Sequence, residues 1–229
     1  MRGDLISYLK QRYEETKQTV QGEGPVITIS REYGCSAKIV AQKLSEKLSE
    51  KKDSSGRKHN WKWYSKEILE ESAKELQMNP SEIQYVFNYE KRTTLEEFFN
   101  SFSHYYHRDQ KIRNTIGKVI HDIASQGHAI IVGRGGIAIA HDISRSLHIN
   151  LVAPLEWRAV RISERQNCSI DQAKEICIDM DKKREEFKNY FQGKGNDYTW
   201  PDLTFNCMTL SIDEIVEIII KAVEVRNLL

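Results

Sequence analysis

Pro25-Val-Ile-Thr-Ile-Ser-Arg-Glu-Tyr-Gly-Cys-Ser-Ala-Lys-Ile-Val-Ala-Gln-Lys-Leu44 is the stretch whose reading decides the fold. Val26–Ile29 is a β-branched run of strand character. It breaks at Ser30–Gly34, and the apolar spacing then turns helical, with Val40, Leu44 and Leu48 on the buried side. A strand, a tight small-residue turn and a helix start bring backbone N–H groups and a positive helix end to one point, and that arrangement receives phosphate. The usual fingerprint for such a turn, G-x-x-x-x-G-K-[ST], is incomplete. Gly34 is its only glycine, Lys38 its only nearby lysine, and Ile39 stands where a metal-binding hydroxyl would follow.

Working outward, 229 residues suit one α/β domain with a flanking or inserted segment. A formal charge of +1 gives no reason to expect nucleic acid or an anionic membrane as partner. Cys35, Cys168, Cys177 and Cys207 show neither C-x-x-C nor metal-ligand spacing and read as reduced thiols. The polar start Met1-Arg-Gly-Asp-Leu5 lacks a signal core, its Arg2-Gly3-Asp4 triplet reads as chance, and no run reaches membrane-spanning length. The expectation is a soluble, cytoplasmic protein.

The remaining chain alternates helix and strand. An N-terminal helix is expected over 4–20, a polar surface loop over 51–60, a strand over 61–64 and a helix from Lys66 to about Gln77 capped by Ser65. Helices opening at Pro80-Ser81 and at Thr93-Thr94 follow, then one over 109–126 closed by Gly127. His128–Gly133 is a buried-strand run ending in Gly133-Arg134-Gly135-Gly136, and His148–Ala153 is another, stopped by Pro154. From Leu155 to Gln166 a helix carries Arg158, Arg161 and Arg165 on one face. In an unselected protein such arginines pair with neighbours like Glu156 and Glu164. Ser169 caps a charged helix containing Asp181 and Arg184, Leu203–Cys207 is a last strand, and Ser211-Ile-Asp-Glu214 is a capping box. Alternation of this kind implies a parallel sheet with ligands at the strand carboxyl ends, so Gly34 and Gly133–Gly136 should meet in one pocket.

Ile29-Ser-Arg-Glu-Tyr-Gly34, Ile130-Ile-Val-Gly-Arg-Gly-Gly136, Ala153-Pro-Leu-Glu-Trp-Arg158 and Asp181-x-x-Arg184, in this order, resemble the cytidylate kinase-like family, a divergent branch of the nucleoside-monophosphate kinases. The resemblance runs from about Val26 to the C-terminal helix. It implies a P-loop kinase-like three-layer αβα sandwich around a parallel sheet. Residues 1–22 would be an added helix and 23–229 the kinase-like domain, with a helical acceptor-binding region at 65–110 and a lid-like region at 155–195.

Implied activity is phosphoryl transfer from ATP, with Mg²⁺ carried by the nucleotide, to CMP, dCMP or another small phosphorylated acceptor. Catalysis of that reaction is mostly positioning and charge stabilisation. The resemblance puts the donor on Ser30, Gly34, Cys35, Ser36, Ala37, Lys38 and Ile39, and the acceptor on Arg113, Gly133, Arg134, Gly135, Asp181 and Arg184. Arg158, Arg161 and Arg165 would close over the phosphoryl group, and Lys38, Arg134, Arg161 and Arg184 would carry catalysis. Arginine suits these roles because its planar fork binds phosphate in bidentate fashion.

The chain also departs from the family pattern. Ala37 stands where monophosphate kinases place the phosphate-binding lysine, Ser36-Ala37 replaces two glycines, and Val132 replaces an aspartate. No metal ligand is assigned; Ser30, Glu32, Ser36 and Asp202 are the available oxygens. A pseudokinase that binds nucleotide or a partner, with 51–60 as its surface, is therefore the alternative function. Base identity and oligomeric state are not legible.

Overall fold

In a computed structural model the described residues are 24–65, 67–75, 106–192 and 200–229, with Leu69, Ala73, 106–113, Tyr190 and Gln192 described at backbone level. The expected helices at 4–20, Pro80 and Thr93 lie outside them. Twelve elements follow in order among these residues. They are β1 (Val26–Arg31), α1 (Ala37–Glu50), β2 (Lys62–Tyr64), α2 (Glu67–Glu75), α3 (Tyr106–Gln126) and β3 (Ala129–Val132), then α4 (Gly136–Ile139), β4 (Ser146–Val152), α5 (Leu155–Gln166), α6 (Ile170–Gln192), β5 (Leu203–Asn206) and α7 (Ile212–Val225).

All five strands are parallel, in the order β2-β3-β1-β4-β5. β1 is central because its period-two alternation serves two cores. Ile27 and Ile29 join Val40, Leu44, Leu48, Val216 and Ile219 beneath α1 and α7. Val26 faces the opposite way, with Ile68, Ile116, Ile120 and Ile131 beneath α2 and α3. Helices thus cover both faces, which a parallel sheet requires. Thr28, on the second face, hydrogen-bonds His148 Nδ1 at 2.8 Å, and Ser146 Oγ lies 3.2 Å from His148 Nε2, so this buried polar group is satisfied within the sheet.

Expected and observed boundaries differ where burial extends an element. β4 begins at Ser146 rather than His148 because Ser146 and Leu147 are buried and pair in register with Val26 and Ile27. The capping box at Ser211 and Glu214 forms as read from sequence. Lys43 and Lys47 of α1, and Lys51 directly after it, pair with Asp213, Glu217 and Glu224 of α7. These pairs are largely solvated and align the helices more than they stabilise them.

The 51–60 stretch is more ordered in its hydrogen bonding than a plain surface loop. Asp53 accepts from the N–H groups of Ser55 and Arg57 at 2.8 and 2.9 Å, from Ser55 Oγ at 2.7 Å, and contacts His59 Nε2 at 2.8 Å. His59 stacks on His128, ring centroids 4.0 Å apart, and Trp61 meets His128 edge-on. Burial, followed by the neighbouring His59 and Arg145, pushes His128 down to about 4. Native His128 is then neutral where the unfolded residue, near 6.5, already holds a proton, so stability falls as pH drops from about 6.5 toward 4. His128→Asn, which suits the φ of 51° at this position, should flatten that acid limb. Urea midpoints at pH 7 and pH 4.5 measure it; an equal acid loss in variant and parent removes His128 from the account.

Candidate active site

β1 and β3 end side by side, and the chain turns sharply after each. Together with α6 these turns enclose a cleft of about 1030 Å³ at the carboxyl edge of the sheet. Gly34 and Gly133–Gly135 both line it, so the two glycine turns do converge. The cleft lies where the strand order reverses, the connection from β1 running toward β2 on one side and that from β3 crossing to β4 on the other, as at ligand crevices of such sheets.

The turn after β1 is closed by Cys35 N–H to Glu32 O at 3.2 Å, and α1 starts at Ala37 with Ser36 as its cap residue. Among the described residues the backbone N–H groups of Gly34, Ser36 and Lys38 donate no hydrogen bond. Three undonated amides in five residues form an anion-receiving concavity. Gly34 has φ +98°, and a Cβ there would press on Arg158 Cβ at 3.1 Å. Lys38 is exposed on the cleft wall, while Ala37 is buried under the loop and Ile39 is 48% exposed. Cys35 is held as a thiol by its hydrogen bond with Cys207 and by burial, which push its pKa up; the same bond lowers Cys207. Cys35 lines the cleft.

α5 presents its three arginines to this loop, each differently. Arg158 is 6% exposed and lies outside the cleft lining. Its Nε donates to Ala153 O at 2.9 Å, and its Nη1 donates to Tyr33 O at 3.1 Å and Asp181 Oδ2 at 2.6 Å. Glu32 Oε2 stands 3.4 Å from its Nε. The expectation that Arg158 meets the donor nucleotide is corrected by this geometry: its guanidinium is consumed in holding the loop. Arg161 Nη2 donates to Ser36 Oγ at 3.4 Å and its guanidinium lies over Trp157. Arg165 Nη2 donates to Tyr33 Oη at 3.1 Å and lines the cleft. None of the three pairs with Glu156 or Glu164 among the described residues.

Asp181 of α6 completes the latch. Its Oδ1 accepts from Tyr33 N–H at 2.6 Å and lies 3.7 Å from Arg184 Nη1. Arg184 donates to Arg31 O at 3.2 Å and sits over the Tyr33 ring at 5.1 Å. Across the cleft, Gly133, Arg134 and Gly135 have φ of 68°, 59° and 69°, three left-handed residues in succession. Gly135 needs the absence of a Cβ, which would stand 2.9 Å from the Phe191 ring. Arg134 Nε donates to Ser65 O at 3.3 Å, which ties the arginine to the start of α2. Arg113 lies in α3, whose backbone alone is described there.

Two residues here escaped the sequence reading. Tyr33 is a hinge-pin of the loop, bonded through its N–H, carbonyl and hydroxyl. Arg31 ends β1 and lines the cleft. Both stand in the quoted Ser30-Arg-Glu-Tyr-Gly34 motif, and a half-buried charge directly before a phosphate turn was the available signal.

The donor set for a protein-held Mg²⁺ does not fit. Glu32 accepts from Ala153 N–H at 2.9 Å beside Arg158, and Asp181 is engaged as above. Asp202 accepts from His148 N–H at 2.7 Å and pairs with Arg226, away from the cleft lining, which corrects it as a metal candidate. Among the described residues no three His, Cys, Asp or Glu side chains group as metal ligands. Ser30 and Asn150 offer the cleft neutral oxygens alone.

A parallel sheet of order β2-β3-β1-β4-β5, whose first strand runs into an anion-receiving turn, defines the P-loop kinase-like fold. The sequence profile of the cytidylate kinase-like family matches residues 26–207, and the chain belongs to that family. It is similar to a cytidylate kinase of Methanococcus maripaludis, 30% identical over 138 residues that make up 59% of this chain and 75% of that protein. A match to uronate isomerase of Corynebacterium glutamicum, 30% identical over 102 residues, takes in 44% of this chain but 19% of that enzyme, most of which lies outside it. Among solved structures, an uncharacterized protein from Eubacterium ventriosum superposes with a TM-score of 0.60 at 23% identity, covering 87% of this chain and 98% of that one, and shares the fold.

Proposed function

We propose that this chain transfers a phosphoryl group from a nucleoside triphosphate to a small phosphorylated acceptor of the nucleoside monophosphate class. One observation carries the reading: three undonated loop amides and a set of arginines face each other across one cleft. The amides of Gly34, Ser36 and Lys38, with the Lys38 ammonium, would hold the donor phosphates, and Arg161 and Arg165 would cover them. Arg134, Arg184 and Asp181 would position the acceptor, with 65–110 supplying its base pocket and 155–195 the lid. The cytidylate kinases among the relatives favour CMP or dCMP as acceptor. Mg²⁺ would enter bound to the triphosphate, where it neutralises phosphate charge.

A second reading, a binding module without turnover, is favoured by a specific observation. Ala37 is buried where a lysine would reach the phosphates, and of the cleft carboxylates Glu32 and Asp181 are committed to the loop and Glu185 pairs with Lys188. Losing such contacts can lower rates by two to three orders of magnitude, about 3–4 kcal/mol. Calorimetric titration with ATP·Mg²⁺ and with CMP, paired with an ADP-release assay, separates the readings. The phosphotransferase predicts binding of both and release of ADP that depends on CMP. Binding without release selects the module, and silence toward both ligands removes the cleft as a nucleotide site.

A further inference from the structure

Arg31 is a cation that no carboxylate pairs with directly among the described residues. It is half-buried at the carboxyl end of β1, and among the described residues its guanidinium makes no hydrogen bond and no ion pair. Its position is tightly defined nonetheless. A Cβ on Gly133 would stand 2.0 Å from Arg31 Nη1, so the guanidinium is packed against the backbone of the turn after β3. Arg134 is the next residue along that turn, and Arg184 reaches the Arg31 carbonyl from the other side. Buried arginine normally finds a carboxylate. Here burial first, and then the two other arginines, push Arg31 down to about 9, against a smaller opposing pull from Asp181. Arginine keeps its proton at neutral pH, so this depression measures lost hydration and crowded positive charge that an anion would relieve.

We infer that Arg31, Arg134 and Arg184 form a three-guanidinium site for a phosphomonoester dianion, with Arg31 as its fixed floor. The identity of that phosphate as the acceptor's rests on the phosphotransferase reading; the anion site does not. Three forks around one dianion supply more donors than the phosphate's three terminal oxygens need, and the geometry suits a group bearing two charges over one bearing a single charge. Arg31 also explains the glycine at 133. Any side chain there would evict the guanidinium from the cleft floor.

A ligand-binding arginine and a structural one respond oppositely to removal. Arg31→Gln should leave the ligand-free protein as heat-stable as the parent or more so, because a like-charge contact is relieved. The same variant should bind CMP and inorganic phosphate at least ten-fold more weakly, and should lose the thermal shift these ligands induce in the parent. Binding of ATP·Mg²⁺ should change less than three-fold, and cytidine, which has no phosphate, should bind parent and variant alike. Arg31→Lys, retaining charge without the fork, should fall between the two. Unchanged CMP and phosphate affinity in Arg31→Gln overturns the site, as does a variant too unstable to fold, since that would make the guanidinium part of the scaffold. The wider reading fails separately. A parent without turnover whose phosphate binding depends on Arg31 keeps this site and removes the phosphotransferase, whereas full turnover in Arg31→Gln does the reverse.

Discussion

Arg158→Ala lowers the free energy of unfolding by about 3 kcal/mol, the cost of breaking a desolvated charge pair by removing one partner. The buried guanidinium is the meeting point of the Tyr33 and Ala153 carbonyls, Asp181 and Glu32. Without it Asp181 and Glu32 lose their cationic partner and the Tyr33 and Ala153 carbonyls lose a donor. Asp181 and Glu32 keep part of their hydration, which holds the loss near the lower end for such pairs. Arg158→Lys keeps the charge but offers a single ammonium to a planar constellation, so it should recover less than half of the loss. Urea unfolding of the three proteins measures this. A loss below about 1 kcal/mol for Arg158→Ala would return Arg158 to the ordinary run of surface ion pairs.

Arg134→Ala should act in the opposite pattern, leaving stability nearly unchanged while weakening monophosphate binding about 10- to 100-fold, the worth of one charge-assisted hydrogen-bonded contact. Its guanidinium donates to Ser65 O at a long 3.3 Å, and the alanine keeps the same left-handed backbone between two glycines. Titration with CMP, read beside the thermal midpoint, is the check. Parent-like CMP affinity in the folded variant would take Arg134 out of the site.

The contrast between these two arginines shows where sequence carries the site and where it does not. Both were assigned to phosphate, and each stands in a recognisable motif. Arg134 sits between glycines at a strand end, and it lines the cleft. Arg158 follows Pro154 by one helical turn, and nothing local says that the Tyr33 carbonyl, 125 residues earlier, waits for it. Long-range acceptors decide whether an arginine is structural, and a linear pattern does not contain them. The same holds for Asp202, whose carboxylate is spent on the His148 amide in the neighbouring strand.

The sheet, by contrast, was readable almost throughout, because parallel strands buried on both faces are continuous apolar runs. Val26–Ile29 and Ala129–Val132 announce themselves by composition. Strand order is the part that only the structure supplies, since hydrophobicity says that a strand is buried but not beside which neighbour. The 51–60 stretch marks the other boundary. Its polarity correctly places it outside the core, yet the Asp53-centred turn and the His59–His128 stack depend on a residue some seventy positions away.

Tyr33 has a consequence for the heat of nucleotide binding. Its N–H is held by Asp181, its carbonyl by Arg158 and its hydroxyl by Arg165 and Gln166. The phosphate turn is thereby immobilised during folding, before any ligand arrives. A loop ordered in advance surrenders little chain entropy on association, so a triphosphate settling on its amides should do so with a small entropic penalty, and the Tyr33 amide should exchange its hydrogen with solvent slowly in the empty protein.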